Sequence, residues 1–158
     1  WIVFLNKAKE YLKNYHLEDR ILVFDESSAT VKEAALRLNC QESEIAKTLA
    51  FFIQDKSIVI LMAGDAKCKN GLFKQVFHEK AKMIPFENVE DIIGYPPGGV
   101  CPFGINDNVS VYFDESLKEH QTIYPDCGTS NSAVKLTIEE LERAVPNHTW
   151  INVSKEIK

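Results

Sequence analysis

The chain of 158 residues is long enough for one domain with a substantial core, and its 45% apolar and 26% charged residues are typical of a globular protein rather than a disordered one. Its formal net charge of −5 argues against a protein that coats nucleic acid nonspecifically. The apolar run from Trp1 to Leu5 is too short for a membrane span or a secretory signal core. We therefore expect a single domain over residues 1–158, cytoplasmic and with no membrane partner.

The first half of the chain contains two helical patterns and three strand patterns. They cover residues 4–15 (helix), 20–24 (strand), 30–38 (helix), 47–53 (strand) and 57–63 (strand). Thr30 and Glu33 have the spacing of a capping box, which predicts that the second helix starts at Thr30. The last two strands flank the short polar turn "QDK" and are predicted to pair as a hairpin in a sheet.

The second half of the chain is richer in strands. The patterns cover residues 70–79 (helix), 87–94 (helix), 108–113 (strand), 121–125 (strand), 132–137 (strand), 138–145 (helix) and 149–153 (strand). Gly94 is a natural helix stop, and Thr137 with Glu140 forms a second capping box. Because several strands follow each other through short connections, the predicted fold class is α+β. We expect a mixed, largely antiparallel sheet or barrel of about six to seven strands flanked by helices.

The cysteines and histidines are spread along the chain. The four cysteines form no CxxC pair and no ligand spacing with the four histidines, so we expect reduced thiols and no metal site. Walker and Rossmann fingerprints are also absent from the sequence, so we expect no cofactor.

A basic segment interrupts this acidic chain. Five lysines and His78 lie between Lys67 and Lys82, opposed only by Glu79. This segment is either a solvated helix face or a docking surface for phosphates.

The segment "GYPPGGVCPFG" (residues 94–104) concentrates four of the seven glycines and three of the six prolines. Proline fixes φ and removes an N–H donor, whereas glycine permits positive φ and close approach of another backbone. The remaining amides of Gly98, Gly99, Val100 and Cys101 could converge as a nest for an anion or an oxyanion. A purely structural turn is the alternative.

Cys101 lies at the centre of this segment and could act as a nucleophile. That chemistry requires a base within hydrogen-bond reach, and nothing in the sequence brings a histidine there. A small, buried and mildly polar pocket wall is the favoured interpretation of Cys101.

Five segments, in this order, resemble the YbaK family, whose members are similar to the editing domain inserted in bacterial prolyl-tRNA synthetases. The segments are "SSATVKEAA", "EIAKTLAF", "LMAGDAK", "GYPPGGVCPFG" and "CGTSNSAVKLTIEEL", and the similarity runs from about Ser27 to Leu141. The resemblance implies a deacylase that acts in trans on mischarged tRNA carrying a small amino acid (Ala, Cys or Ser), most often tRNA(Pro). It also implies the aminoacyl-tRNA 3′ end as partner and prolyl-tRNA synthetase as a candidate partner.

The resemblance also assigns site residues. Lys47 matches the family's lysine, expected at the pocket rim near a phosphate, and Gly98 to Pro102 match its G-x-x-x-P loop, with the amides of Gly98 and Gly99 expected to face the ester carbonyl. The other expected substrate-binding residues are Thr30, Asp65, Val100, Cys101, Pro102, Phe103, Ser130 and Asn131. Val100, Cys101 and Phe103 are expected to form the wall that excludes larger amino acids. The loop departs from familiar YbaK proteins at Cys101, where they have Ser.

Two other functions fit the same residues. A non-catalytic module could hold aminoacyl-tRNA ends or dock on a synthetase without turnover, and a thiol hydrolase could use Cys101. Tight, salt-sensitive tRNA binding without ester cleavage would indicate the first, and loss of activity in Cys101→Ser the second.

Overall fold

The computed structural model of the chain describes residues 2–28 and 30–155. The helices are α1 (Ile2–Lys13), α2 (Val31–Leu38), α3 (Asn70–Phe77), α4 (Val89–Ile93) and α5 (Ile138–Ala144). The strands are β1 (Ile21–Val23), β2 (Ile45–Ile53), β3 (Lys56–Ala63), β4 (Lys82–Met83), β5 (Val109–Asp114), β6 (Thr122–Pro125), β7 (Ser132–Val134), β8 (Leu136–Thr137) and β9 (His148–Ile151). Within the described residues, no helix has both the length and the apolar character that crossing a membrane requires.

The main sheet is mixed and runs in the order β8–β6–β2–β3–β5–β9, with β4 added to β2. The predicted hairpin is confirmed, because β2 and β3 pair antiparallel along their length. Parallel pairs join β2 to β6, β3 to β5 and β5 to β9, and β1 pairs with β7 in a separate two-stranded sheet. The α+β class with a mixed sheet is confirmed. The connection from β3 to β5 contains α3 and α4, which is the kind of long crossover that parallel pairing needs.

Two local predictions differ from the structure. The strand predicted over residues 132–137 is divided into β7 and β8, and between them the amide of Lys135 donates to the carbonyl of Arg20 at 3.2 Å. The strand β4 was not predicted, because two residues are too few to show a period and β4 depends on pairing with β2.

Both predicted helix starts are present. The hydroxyl of Thr30 accepts the amide of Glu33 at 3.1 Å, and the hydroxyl of Thr137 accepts the amide of Glu140 at 3.1 Å. The carboxylate of Glu140 in turn accepts the amide of Thr137 at 2.9 Å, which completes a capping box. Each cap stabilises its helix start by about 1 kcal/mol.

The edge of β2 that faces away from β3 contains a gap. Strand β6 pairs with β2 at residues 45–46, and β4 pairs with it at residues 51–52. Between these pairs, residues 47–49 have no strand partner on this edge in the part of the chain that the structure describes, whereas the carbonyl of Ala50 accepts the amide of Ile84. An unpaired stretch of strand backbone between two paired ones leaves room for another group to approach the sheet.

The side chains of β2 alternate between two cores. Ala46 and Ala50 belong to the larger core, whereas Phe51 packs against Phe73 of α3, with ring centroids 5.1 Å apart, in the second core. Because residues two apart share a face, Lys47 points to the α3 side and Thr48 to the larger core.

Candidate functional site

The Gly/Pro segment forms a tight turn. The amide of Gly99 donates to the carbonyl of Pro96 at 3.0 Å, and Gly98 has a φ of +88°. Pro97 at the second position and a glycine at positive φ in the third are the requirements of a type II turn. The order "PPGG" therefore specifies this bend locally.

Gly99 is glycine because another backbone passes beside it. A Cβ on Gly99 would lie 2.4 Å from the carbonyl oxygen of Gly128 and 2.7 Å from the amide nitrogen of Thr129. Only a residue without a side chain permits that approach. The turn is thus packed directly onto the segment that precedes β7.

The turn leaves fewer free amides than the sequence suggested. The Gly99 amide is occupied by Pro96, so in this conformation it does not face a ligand, which corrects the expected role of Gly99. The amides of Gly98 and Val100 have no hydrogen-bond acceptor among residues 2–28 and 30–155. The amide of Cys101 also has no acceptor there, so the segment still offers three of the four predicted donors.

A cavity of about 340 Å³ lies beside the turn, at the gap in the edge of β2. Its walls come from β2, from the segment of β4 to α4 and from the turn. None of the described residues that line it is charged: Thr48, Leu49, Ala50, Met83, Ile84, Phe86, Val89, Pro97, Gly98 and Val100. Its size falls at the lower end of the range of about 300–1,000 Å³ for small-molecule pockets. An apolar cavity with a few hydrogen-bonding groups is the usual form of a ligand site.

Two hydroxyls in this region lack partners. The side-chain oxygens of Thr48 and Ser28 are buried and have no hydrogen-bond partner within the described part of the chain. A buried hydroxyl without a partner costs about 1–3 kcal/mol, so it is expected where a ligand or water completes the site. Thr48 and Ser28 were missed from the sequence, although a threonine in the apolar strand "KTLAFFI" was a usable signal.

The predicted wall residues separate in the structure. Val100 lines the cavity, whereas Cys101 and Phe103 are 0% exposed in the larger core and Pro102 lines a different depression next to Tyr11. Cys101, Pro102 and Phe103 therefore do not line this cavity, unlike Val100. Neighbouring side chains of this segment thus face different surroundings: those of Cys101 and Phe103 close the core, and that of Val100 faces the cavity.

The environment of Cys101 disfavours a nucleophile. Burial raises the pKa of its thiol well above the ordinary value. The thiolate is the reactive form, and it is suppressed in a buried apolar site. The thiol hydrolase is therefore the weakest of the three functions.

Lys47 lies away from the cavity. Its ammonium is half-buried and donates to the carbonyls of Gly64 (3.2 Å) and Ala66, which follow β3. Burial lowers the pKa of Lys47, and the nearby Asp65 opposes that shift. Asp65 is an exposed turn residue, so the structure brings Lys47 and Asp65 together, but neither of them lines the cavity next to the turn.

Ser130 and Asn131 connect the turn to the segment that precedes α2. A Cβ on Gly98 would lie 3.5 Å from the Cβ of Ser130, and the carbonyl of Ser130 accepts the amide of Ser28 at 2.8 Å. The side chain of Asn131 donates to the carbonyl of Phe24 at 3.0 Å and accepts from the hydroxyl of Thr129 at 2.7 Å. Asn131 thus holds the chain, whereas Ser130 is the residue next to the turn.

The start of α2 lies next to Gly64, whose carbonyl accepts a hydrogen bond from Lys47. Thr30, exposed at the start of α2, precedes Val31, whose Cγ1 is 2.6 Å from the position that a Cβ on Gly64 would occupy. Ser28 and Val31 are three residues apart, a span of at most about 10 Å. The contact of Ser28 with Ser130 and the contact of Val31 with Gly64 are therefore linked by at most about 10 Å of chain.

Asp126 is a titratable residue that the sequence did not single out. Burial raises the pKa of its carboxyl from 3.8 to about 8. Its neighbours Cys101 and Cys127 are buried thiols, and it precedes the Gly128 backbone that packs on the turn.

We expect Asp126→Asn to stabilise the protein near neutral pH. Because the pKa of Asp126 is higher in the folded chain than in the unfolded one, folding becomes less favourable as pH rises from about 4 to about 8. Each pKa unit corresponds to about 1.4 kcal/mol, and for this half-buried side chain we expect a gain of roughly 2–4 kcal/mol at pH 8. Urea unfolding of the wild type and of Asp126→Asn at pH 4 and pH 8 measures this difference in the free energy of unfolding. The exposed Asp107→Asn is the control, and an equal effect of Asp126→Asn at both pH values would contradict the assignment.

Comparison with known proteins adds three findings. The model of the aminoacyl-tRNA editing domain family matches residues 25–144. The uncharacterized protein YwhH of Bacillus subtilis (strain 168) is 40% identical over 153 residues, which cover 96% of this chain and 98% of that protein. The proline–tRNA ligase of the same strain is 29% identical over 90 residues, which are 56% of this chain and 16% of the ligase.

Solved structures share the fold. A candidate trans-editing enzyme for prolyl-tRNA synthetase superposes with a TM-score of 0.86 at 21% identity, covering 96% of this chain and 97% of that one. The hypothetical protein APE2540 superposes with a TM-score of 0.83 at 27% identity, covering 94% of this chain and 99% of that one.

Proposed function

This chain belongs to the aminoacyl-tRNA editing domain family, and on that premise we propose that it hydrolyses, in trans, the ester of mischarged tRNA carrying a small amino acid (Ala, Cys or Ser). We propose tRNA(Pro) as the preferred tRNA. The similarity to a segment of proline–tRNA ligase and the fold shared with a candidate trans-editing enzyme for prolyl-tRNA synthetase support this choice. Prolyl-tRNA synthetase is the corresponding candidate partner.

The observation that carries the proposal is the uncharged cavity with unused hydrogen-bonding groups. The amides of Gly98 and Val100 lack acceptors in the described chain, and the hydroxyl of Thr48 lacks a partner there. An oxyanion that develops on an ester carbonyl needs N–H or O–H donors already in place. The cavity can therefore receive an aminoacyl ester without rearrangement of charged side chains.

The reaction does not need a strong nucleophile. An aminoacyl ester is activated, so a positioned water can attack the carbonyl carbon and the bond to the ribose oxygen then breaks, releasing amino acid and tRNA. The free hydroxyl of the terminal ribose can assist in placing that water. Positioning together with oxyanion stabilisation supplies the rate.

Discrimination is proposed to be steric. Val100 lines the cavity beside the turn, and we propose that it limits the space left for the amino-acid side chain once the ester and the terminal nucleoside are bound. Steric rejection of a larger amino acid discriminates better than favourable contacts with a smaller one, because one methylene contributes only about 1–3 kcal/mol to selective binding.

Lys47 is proposed to support the substrate outside the cavity, by binding a phosphate of the RNA. The carbonyls of Gly64 and Ala66 accept two of its three ammonium hydrogens. The third has no acceptor among the residues that the structure describes, and we propose that it binds a phosphate of the RNA 3′ end. A lysine acts on phosphate as a point charge, so it needs proximity rather than a fixed bidentate geometry.

A deacylation panel tests the proposed function. The purified chain is incubated with tRNA(Pro) charged with Ala, Cys, Ser or Pro, and with other tRNAs mischarged with Ala or Ser. We expect hydrolysis of at least one small-residue ester and little hydrolysis of Pro-tRNA(Pro). Hydrolysis that does not depend on the tRNA would remove the tRNA(Pro) preference, and tight binding without cleavage of any ester would favour the non-catalytic module instead.

A further inference from the structure

The mouth of the cavity has an exposed apolar rim, formed by Met83 and Phe86. Phe86 is 77% exposed and Met83 58% exposed, although both line the cavity. Single exposed apolar residues are common on protein surfaces, but two large ones beside an uncharged cavity form a patch that suits a flat, apolar ligand.

The rim is held in a fixed position. Ile84, between Met83 and Phe86, is buried, and its amide donates to the carbonyl of Ala50 at 3.1 Å. Pro85 fixes the backbone entering the short helical turn at Phe86, and the buried Val89 anchors the other end. The ring of Phe86 therefore projects from an anchored backbone, as a stacking surface requires.

Positive charge adjoins the rim on one side. Lys82 pairs with Phe52 across the strands and so shares the sheet face of Ala50, whereas Met83 pairs with Phe51 and lines the cavity from β4, at the edge of the sheet. The Lys82 ammonium lies 6.0 Å from the centroid of the Phe52 ring. Lys80, two residues earlier in the chain, is exposed, and the exposed Glu87 directly follows Phe86 in the chain. A ligand with one planar apolar part and one anionic part fits this arrangement, with the anion on the lysine side.

We propose that Phe86 and Met83 stack on the terminal adenine of the substrate RNA, with Lys82 beside the phosphate that precedes it. The proposal rests on the proposed function, because that function requires a 3′ adenosine at the cavity mouth. The cavity volume of about 340 Å³ exceeds what a small aminoacyl group fills, so the part of the cavity next to Met83 and Phe86 is left for the adenine. Aromatic side chains and single-stranded bases pair in this way in many RNA-binding proteins.

The test compares substrates with and without the nucleoside. Hydrolysis of an alanylated RNA minihelix ending in CCA is measured beside hydrolysis of alanine ethyl ester, for the wild type and for Phe86→Ala, Phe86→Trp and Lys82→Ala. Phe86→Ala should raise KM for the minihelix about tenfold and lower the preference for the minihelix over the ethyl ester by the same factor. Phe86→Trp should restore KM, and Lys82→Ala should weaken the salt dependence of KM. The matched controls are Leu36→Ala, an apolar residue 73% exposed on α2, and the exposed Lys9→Ala.

A binding measurement separates this inference from the proposed function. The minihelix carries 2-aminopurine in place of the terminal adenine, and the fluorescence of this base should be quenched when the minihelix binds. Phe86→Ala should abolish that quenching. Quenching that depends on Phe86 without any ester cleavage would retain the stacking surface and overturn the deacylase. Cleavage with equal minihelix preference in wild type and Phe86→Ala would retain the deacylase and overturn the stacking surface, and absence of both cleavage and quenching would overturn both.

Discussion

Lys47→Ala is expected to lower kcat/KM for deacylation by roughly 10- to 100-fold while the protein stays folded. A hydrogen bond from a charged group contributes about 1.5–3 kcal/mol, and each 1.4 kcal/mol of transition-state binding is a factor of ten. The two carbonyls that the ammonium now contacts, Gly64 and Ala66, follow β3 at the chain surface, where water can replace it. The measurement is steady-state deacylation of the preferred substrate, with a melting curve for each variant.

The control for Lys47→Ala is Lys67→Ala, which also removes one positive charge, at an exposed residue of the basic segment. If Lys47 holds a phosphate, its loss should also change the slope of log KM against log salt by about 0.7, as for one contact to single-stranded nucleic acid. Equal activity of wild type and Lys47→Ala would remove Lys47 from the site. A large fall in melting temperature with an unchanged salt slope would assign it the structural role of holding Gly64 and Ala66.

The parts of the fold that were predicted correctly depend on neighbours in the chain. Thr30 and Thr137 begin helices because their hydroxyls reach amides three residues away, and the β2–β3 hairpin follows from two apolar runs around a short turn. The bend at Gly98 likewise follows from the order of prolines and glycines.

The parts that were not predicted depend on contacts between distant segments. The sequence shows that Cys101 and Phe103 are apolar, but only the packing of the core decides that they face away from the cavity while Val100 faces it. The rim residue Phe86 was missed for the same reason, because its position depends on the pairing of β4 with β2. The family resemblance identified the site segments, whereas the direction of each side chain required the tertiary structure.

Gly99→Ala is expected to reduce both stability and activity strongly. The added Cβ would lie 2.4 Å from the carbonyl oxygen of Gly128, and both partners are backbone, so the turn has to move. Forcing extra volume into a closely packed contact costs up to about 3 kcal/mol. A displacement of about 1 Å at a site of this kind can reduce the rate about 100-fold, because Gly98 and Val100 move with the turn.

The matched control for Gly99 is Gly71→Ala, which makes the same substitution where a Cβ meets nothing within 4 Å. Gly71 lies in α3, so alanine there is expected to stabilise the protein by roughly 0.5 kcal/mol and to leave deacylation unchanged. Urea unfolding and deacylation are measured for both variants. If Gly99→Ala retains wild-type stability and rate, the contact of the turn with Gly128 is not required. That result would contradict the proposal that this contact holds the amides of Gly98 and Val100 where they can donate to the ester.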